Sequence, residues 1–419
     1  MLGFGQWQLG FGVTCGLWWM RVPRVRLFIF SAEFNTMKHF LRYLLLLCCL
    51  SLFGSGLQAQ DSLRWSANLG AEGFFRNNEY AQSYGTGYTL PGYRLQGTVA
   101  YSMPEVLSGA AIEVGAHATG FFGARRYPTG TWWAELPHWT DESTVSAVPH
   151  LVPLFGVFLR ANPHLEVRLG RVDNRDAHQL IQPLYNPELH YSADPEMGVQ
   201  LKADYPWLKS DFWIDWQSFT FRADRHQEAF TMGLSLDLPI VEKSTYSLSA
   251  IGQVVATHRG GEISWHRHDT VHSYLASAIG LRASWVLSHG RMEAAAYYLP
   301  SLLRAEAPAP MGHAFYATLG YQRKHLLTEL AYWQGSHFVS PMGGPFVNSR
   351  VLWEGPLVRD QERTSFLGIR AHYQFFSTPL VQMAFVARGW YHLLDLEGSP
   401  KRFSHSLELN LALTPSFYF

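Results

Sequence analysis

From Leu407 to the carboxyl terminus every odd position is apolar or proline: Leu407, Leu409, Leu411, Leu413, Pro415, Phe417 and Phe419. The even positions between them are Glu408, Asn410, Ala412, Thr414, Ser416 and Tyr418, mostly polar. A period of two is what a β-strand imposes when one of its faces is apolar and the other is not. A single such stretch fits many sheets. Here the pattern recurs, with the same contrast, along most of the chain, and that recurrence leaves few folds open.

Sixteen alternating segments can be marked: 62–75, 93–103, 110–122, 154–160, 165–172, 197–205, 211–219, 228–238, 245–257, 273–287, 291–299, 313–322, 326–334, 364–375, 380–392 and 403–419. The clearest is 228–238, where Phe230, Met232, Leu234, Leu236 and Leu238 alternate with Thr231, Gly233, Ser235 and Asp237. Each segment is about ten residues, the length a tilted strand needs to cross a bilayer. The connections alternate too. Short turns such as the one at Ala161, Asn162, Pro163 and His164 follow even-numbered segments. Longer ones, 76–92, 123–153, 173–196, 258–272, 300–312, 336–363 and 393–402, follow odd-numbered segments, with 220–227 the short exception.

The chain has 419 residues, with 15% aromatic and only 16% charged side chains. Its mean hydropathy of −0.07 rules out a bundle of membrane helices. All three cysteines, Cys15, Cys48 and Cys49, fall within the first 59 residues, so the remainder has no thiol for zinc–thiolate sites, nucleophilic catalysis or iron–sulfur clusters. Beyond residue 59 the chain carries 28 Lys and Arg against 32 Asp and Glu, a net charge of −4 that offers no basic face for nucleic acid. Lys38 and Arg42 precede the apolar run 43–52, and Ala59 supplies a small residue before a cut. Residues 37–59 therefore read as a cleaved secretory signal with translation starting at Met37, residues 1–36 as a mis-assigned upstream extension, and 60–419 as one domain.

A secretory leader, recurring alternation, asymmetric connections and a terminal Phe419 together resemble the porin-like β-barrels of Gram-negative outer membranes. The resemblance covers 37–419. It implies an all-β fold: an antiparallel up-and-down transmembrane barrel of about 16 strands, with short periplasmic turns and long extracellular loops. A count of 14 to 18 follows if one hairpin is split or merged. A soluble propeller lacks support because no repeat of fixed period is found, and sixteen strands exceed the core of one sandwich. The resemblance further implies an outer-membrane location, contact with outer-membrane lipid and lipopolysaccharide, and recognition of Phe419 by the barrel-assembly machinery. The function expected on this basis is passage of small polar solutes. The alternatives are a non-conducting surface barrel that binds polysaccharide or capsule, and a component of a secretion or surface-assembly machine. Oligomeric state is not legible.

Alternation places Arg64, Arg94, Glu113, Arg168, Lys202, Asp215, Arg282, Arg370 and Arg388 on the lumen side, where they are candidates to line a constriction. Asp173, Arg175 and Asp176 open the segment 173–196, whose apolar centre around Leu180, Ile181 and Leu184 suits a loop folded into the lumen. In the segment 123–153, Arg125, Trp132, Trp133 and Trp139 are candidates for stacking on sugar rings. His266, His268 and His272 are weak metal-ligand candidates, since alternating histidines around an Arg are no specific ligand spacing. No cofactor is expected. His337 lies beside Ser336 and near Ser340, but no recognisable hydrolase motif surrounds them, and enzymatic activity is not expected.

Overall fold

The computed structural model describes residues 64–81, 87–123, 149–221, 228–260, 271–304, 311–344, 346–351, 359–360, 362–394 and 402–419. The proposed leader and upstream extension therefore lie outside the described residues.

Sixteen long antiparallel strands form a closed barrel among these residues: β1 (Trp65–Glu79), β2 (Tyr88–Met103), β3 (Ala110–Phe121), β4 (His150–Asn162), β5 (Leu165–Arg171), β6 (Met197–Tyr205), β7 (Leu208–Ser218), β8 (Ala229–Glu242), β9 (Tyr246–Arg259), β10 (His272–Leu287), β11 (Gly290–Arg304), β12 (Met311–Arg323), β13 (Leu326–Ser336), β14 (Arg363–Ser377), β15 (Val381–His392) and β16 (Phe403–Leu413). Each strand pairs with its neighbours in sequence, and β16 closes the ring on β1 from Ala71↔Leu413 to Glu79↔His405. Closure leaves no edge, which is what a sheet in hydrocarbon requires, since no water is there to satisfy a free backbone group.

The last strand is interrupted at Thr414 and Pro415, because Pro415 has no N–H to give the ladder. Ser416–Tyr418 then resumes the pairing against Ser66, Ala67 and Asn68. Trp65 and Phe419 exchange both backbone hydrogen bonds, each 3.0 Å, and so close the ladder between the start of β1 and the last residue. In β8, Pro239 is accommodated by a register shift between Pro239 and Val241.

The alternation resolves into two faces. On the outside stand Phe75, Leu169, Ile279, Leu330, Ile369, Leu407 and Leu409, all exposed. On the inside of the wall are Arg76, Thr231, Ser404, Ser406 and Glu408, all buried. In water this would be inverted; it suits a wall that faces lipid. Several strands run further than the alternation indicates, β1 to Glu79 and β11 to Arg304 among them. There the outward side chains, Asn77 and Glu79 in β1, are polar, so the ladder continues after its apolar signal has ended.

The bore is occupied. Residues 172–196, between β5 and β6, contain a 3₁₀ turn (Ala177–Gln179) and a short helix, α1 (Leu189–Ser192). Leu184, Tyr185 and Leu189 from this segment join Phe338, Met342, Phe346 and Val347 from residues 337–349 in one buried apolar cluster with Trp213, Val255, Leu299 and Trp333 of the wall. The two segments are tied together by the Asn186 N–H, which donates to the Met342 carbonyl at 2.7 Å. At β8, a Cβ on Gly233 would lie 2.1 Å from the Trp213 ring, so only glycine lets this indole lie flat against the wall.

Candidate functional site

The inserted segment 172–196 is fixed to opposite sides of the bore. On one side the Ile181 N–H donates to Gln253 Oε1 at 3.0 Å, and Gln253 Nε2 donates to the Gln179 carbonyl at 2.8 Å. Beside this anchor His178 is fully buried and stacks on Trp213, with ring centroids 3.7 Å apart and planes 3° from parallel. Its Nδ1 faces Asp211 Oδ2 at 2.9 Å and its Nε2 faces Glu196 Oε2 at 2.7 Å. A ring with a carboxylate on each nitrogen donates from both, so His178 is an imidazolium. Burial alone would depress its pKa, but Glu196 and Asp211 outweigh that and raise it to about 9. It is a structural cation, held on an indole face, and no base. Tyr185 donates to Glu196 Oε1 at 3.0 Å, and Gln200 Nε2 donates to Asp211 at 2.9 Å and to the Asp173 carbonyl at 3.0 Å.

On the other side α1 brings Glu188, His190, Tyr191 and then Asp194 to β1–β4 and β16. Arg76 pairs with Glu188 at 3.1 Å, and Glu188 also accepts from Asn78 at 3.2 Å and from the Tyr88 hydroxyl. Tyr191 donates to Glu408 Oε1 at 2.7 Å, while Arg388 donates to Glu408 Oε2 at 2.8 Å.

The registers of β1 to β4 align Glu72, Arg94, Thr119 and His150 as one inward-facing row across the wall. His190 lies over this row with Nε2 2.7 Å from Glu72 Oε2 and Nδ1 3.0 Å from Arg94 Nη1. Arginine has only donors, so Nδ1 must accept and the proton sits on Nε2 toward Glu72. Both nitrogens of His190 are thereby committed. His150 Nε2 lies 3.0 Å from Asp194 Oδ2, an orienting carboxylate of the kind that prepares a general base. Next to it, His117 Nε2 is 2.8 Å from Thr119 Oγ1, and His117 Nδ1 is buried with no partner among the described residues. One patch of wall thus holds an imidazole–hydroxyl pair, an imidazole–carboxylate pair and the Arg94 cation. This set can move a proton and stabilise an anion.

The structure distributes the sequence candidates as follows. Arg64 lies ahead of β1 at the short-turn rim, exposed and paired with Glu105 at 2.8 Å. Glu113 and Arg171 form a two-pronged pair at 2.6 and 3.0 Å. Arg168 pairs with Glu166 at 2.5 Å, and Lys202 is 3.5 Å from Asp173. Asp173 also accepts from Arg175 at 2.7 and 2.9 Å; burial would raise its pKa, and Arg175, Lys202 and Arg168 more than reverse that and hold it well below the usual carboxylate range. Asp176 is exposed, with Gln179 Nε2 at 3.4 Å. Asp215 accepts from the Met197 N–H at 2.8 Å, and Arg282 pairs with Asp237. Arg370 forms no hydrogen bond or ion pair among the described residues. His337 faces Glu362 at 4.0 Å, with no hydrogen bond to Ser336 or Ser340. Arg125, Trp132, Trp133, Trp139, His266 and His268 lie outside the described residues; so does the side chain of His272, whose backbone opens β10. Among the described residues no group of three potential ligands could hold a metal ion.

Among solved structures the chain is similar to the outer membrane protein OprD of Pseudomonas aeruginosa, at 11% identity and a TM-score of 0.46, covering 86% of this chain and 96% of that one. It is similar also to OccK8 (OprE) of the same organism, at 11% identity and a TM-score of 0.47, with 85% and 98% covered. A third is OccAB3 of Acinetobacter baumannii, at 11% identity and a TM-score of 0.45, with 84% and 99% covered. No curated protein matches the chain. The architecture is that of a Gram-negative outer-membrane β-barrel. A family model described as lipid A 3'-O-deacylase-type matches residues 57–419, the whole of the barrel, and the chain belongs to that family.

Proposed function

We propose that the protein hydrolyses an ester-linked acyl chain of lipid A at the outer leaflet, with His150 as general base. The observation that carries this reading is the patch on β2–β4, where His150, oriented by Asp194, stands beside His117, Thr119 and Arg94. His150 opens β4 on the long-loop side of the wall, the level of the outer leaflet. In the proposed reaction His150 takes a proton from water, the water oxygen adds to the ester carbonyl, and the bond to the sugar oxygen breaks. Arg94 stabilises the negative charge that develops, and the proton returns to the leaving alcohol, giving a free fatty acid and a lipid A shorter by one chain. Family membership supports lipid A as the substrate.

The test is mass spectrometry of lipid A from a Gram-negative host whose lipid A carries its full set of acyl chains. Expression of the wild-type barrel should yield a species lacking one chain. His150→Ala and Asp194→Asn, present at equal levels and folded by heat-modifiable gel mobility, should lower its yield, His150→Ala by roughly a hundredfold or more. Unchanged lipid A in cells with folded wild-type protein would overturn the reading.

The short-turn half of the lumen favours a second reading, passage of small polar solutes. Arg168, Arg171, Lys202, Glu113 and the Arg282–Asp237 pair provide charges of both signs along that half. Conductance of the purified barrel in a planar bilayer separates the two.

A further inference from the structure

On the far side of the bore from His150, the inserted segments and the wall of β12–β15 border a partly open cavity of about 50 Å³. Arg76, Arg370, Arg388 and Glu329 line it together with Phe346 and Trp390. Arg370 and Arg388 are direct cross-strand partners between β14 and β15, on the same inward face. Two like charges in that position repel each other, and the sheet pays for them unless something sits between.

The local carboxylates do not fill that role. Glu408 takes Arg388 at 2.8 Å and Arg76 at 3.7 Å and also accepts from Tyr191. Glu188 is taken by Arg76, Asn78 and Tyr88. Glu329 is the cross-strand partner of Arg370 on the other side, yet no ion pair joins them. The nitrogens left over are informative. Among the described residues Arg388 Nε, Arg370 Nε and Arg76 Nη1 are buried with no hydrogen-bond partner, and Arg76 and Arg388 are themselves only 3% and 7% exposed. Because Arg388 uses Nη1 on Glu408, the edge it leaves open is the Nε side of the guanidinium. That edge grips two oxygens of a carboxylate or phosphate at once.

We propose that this cavity binds one small oxyanion, a phosphate or carboxylate group, bridging Arg370 and Arg388 with Arg76 behind them. The site is independent of the lipid A reading and lies on different strands from His150. An oxyanion there removes the Arg370–Arg388 repulsion and ties the inserted segment, through Arg76 and Glu188, to the wall.

The probe is inorganic phosphate, titrated into the folded barrel in detergent at constant ionic strength against chloride, with the thermal midpoint read by tryptophan fluorescence. The wild type should show a saturable rise with phosphate that chloride does not reproduce. Arg370→Gln, which breaks no hydrogen bond or ion pair among the described residues, should fold, gain stability in chloride and bind phosphate about tenfold or more weakly. Arg291→Gln, an exposed arginine outside the cavity, should keep the full response. Glucosamine 1-phosphate serves as a soluble stand-in for a glycolipid phosphate. A rise with it that Arg370→Gln weakens assigns the site to a headgroup, and a rise with free phosphate alone assigns it to a free anion. No phosphate-specific rise in the wild type, or an equal rise in Arg370→Gln, would overturn the proposal.

Discussion

At the scale of single residues, His178 shows how a lumen-filling segment is held by one charge. Its ring joins Asp211 of β7 to Glu196, the residue before β6, and lies on the face of Trp213, which in turn needs Gly233 behind it. Removing the charge while keeping the ring leaves two buried carboxylates facing each other. His178→Phe should therefore cost about 3–5 kcal/mol, read as a lower midpoint for the heat-induced change in gel mobility. The pKa raised to about 9 gives the same contact a pH signature. A histidine whose folded pKa exceeds its unfolded value near 6.5 contributes fully below that pH and loses its contribution as the pH rises through 9. The wild-type midpoint should fall across this window, by on the order of 3 kcal/mol of stability. In His178→Phe the part of that fall due to the imidazolium should be lost. A flat wild-type profile between pH 6.5 and 9 would contradict the imidazolium assignment.

At the scale of elements, the segment 172–196 stores strain where it turns into the bore. Ala177, His178 and Gln179 have consecutive φ values of 53°, 53° and 58°, a left-handed run that L-residues avoid. Gln179 is exposed, and its side chain makes only a 3.4 Å contact to Asp176. Gln179→Gly should relieve strain at little loss of contact and stabilise the barrel by about 1 kcal/mol, measured as a higher thermal midpoint. A lower midpoint would mean that the side chain holds the turn. The strands themselves were legible in the sequence because alternation is local: Phe230, Met232 and Leu234 announce an outer face without reference to any other part of the chain. The candidate site was legible only in part. Arg94 and Arg388 could be assigned to the inner face by counting, but His178 meets Asp211 and Glu196 across 33 and 18 residues. No spacing rule links residues that only come together when a loop turns into a closed barrel. His117 and Thr119 stand two apart on one strand face, a visible pattern whose meaning depends on the neighbouring His150 and Asp194.

At the scale of the whole molecule, the question is what a closed barrel with an occupied bore transmits. Residues 172–196 are pinned to β9 through Gln253 and to β1 and β16 through Arg76, Glu188, Tyr191 and Glu408, so they bridge the bore from wall to wall. Residues 337–349 pack against them around Phe338, Met342 and Phe346, and this shared cluster is apolar, which excludes hydrated ions from its volume. The half of the lumen below the cluster carries charges of both signs, with Arg168, Arg171 and Glu113. Ions in bilayer recordings should therefore meet a high resistance, with wild-type conductance far below that of the same barrel carrying a short Gly–Ser linker in place of residues 177–187. That deletion removes His178 and the Ile181 anchor but leaves every strand of the ring, and the closure of β16 on β1, intact. Equal conductance from the two proteins, both folded by gel mobility, would show that ions bypass the inserted segment, and the passage of solutes would then displace catalysis at the rim as the reading of this barrel. A large rise on deletion, with the wild type nearly silent, would leave the inserted segment as the support that holds His190 and Asp194 against the wall where the reaction is proposed.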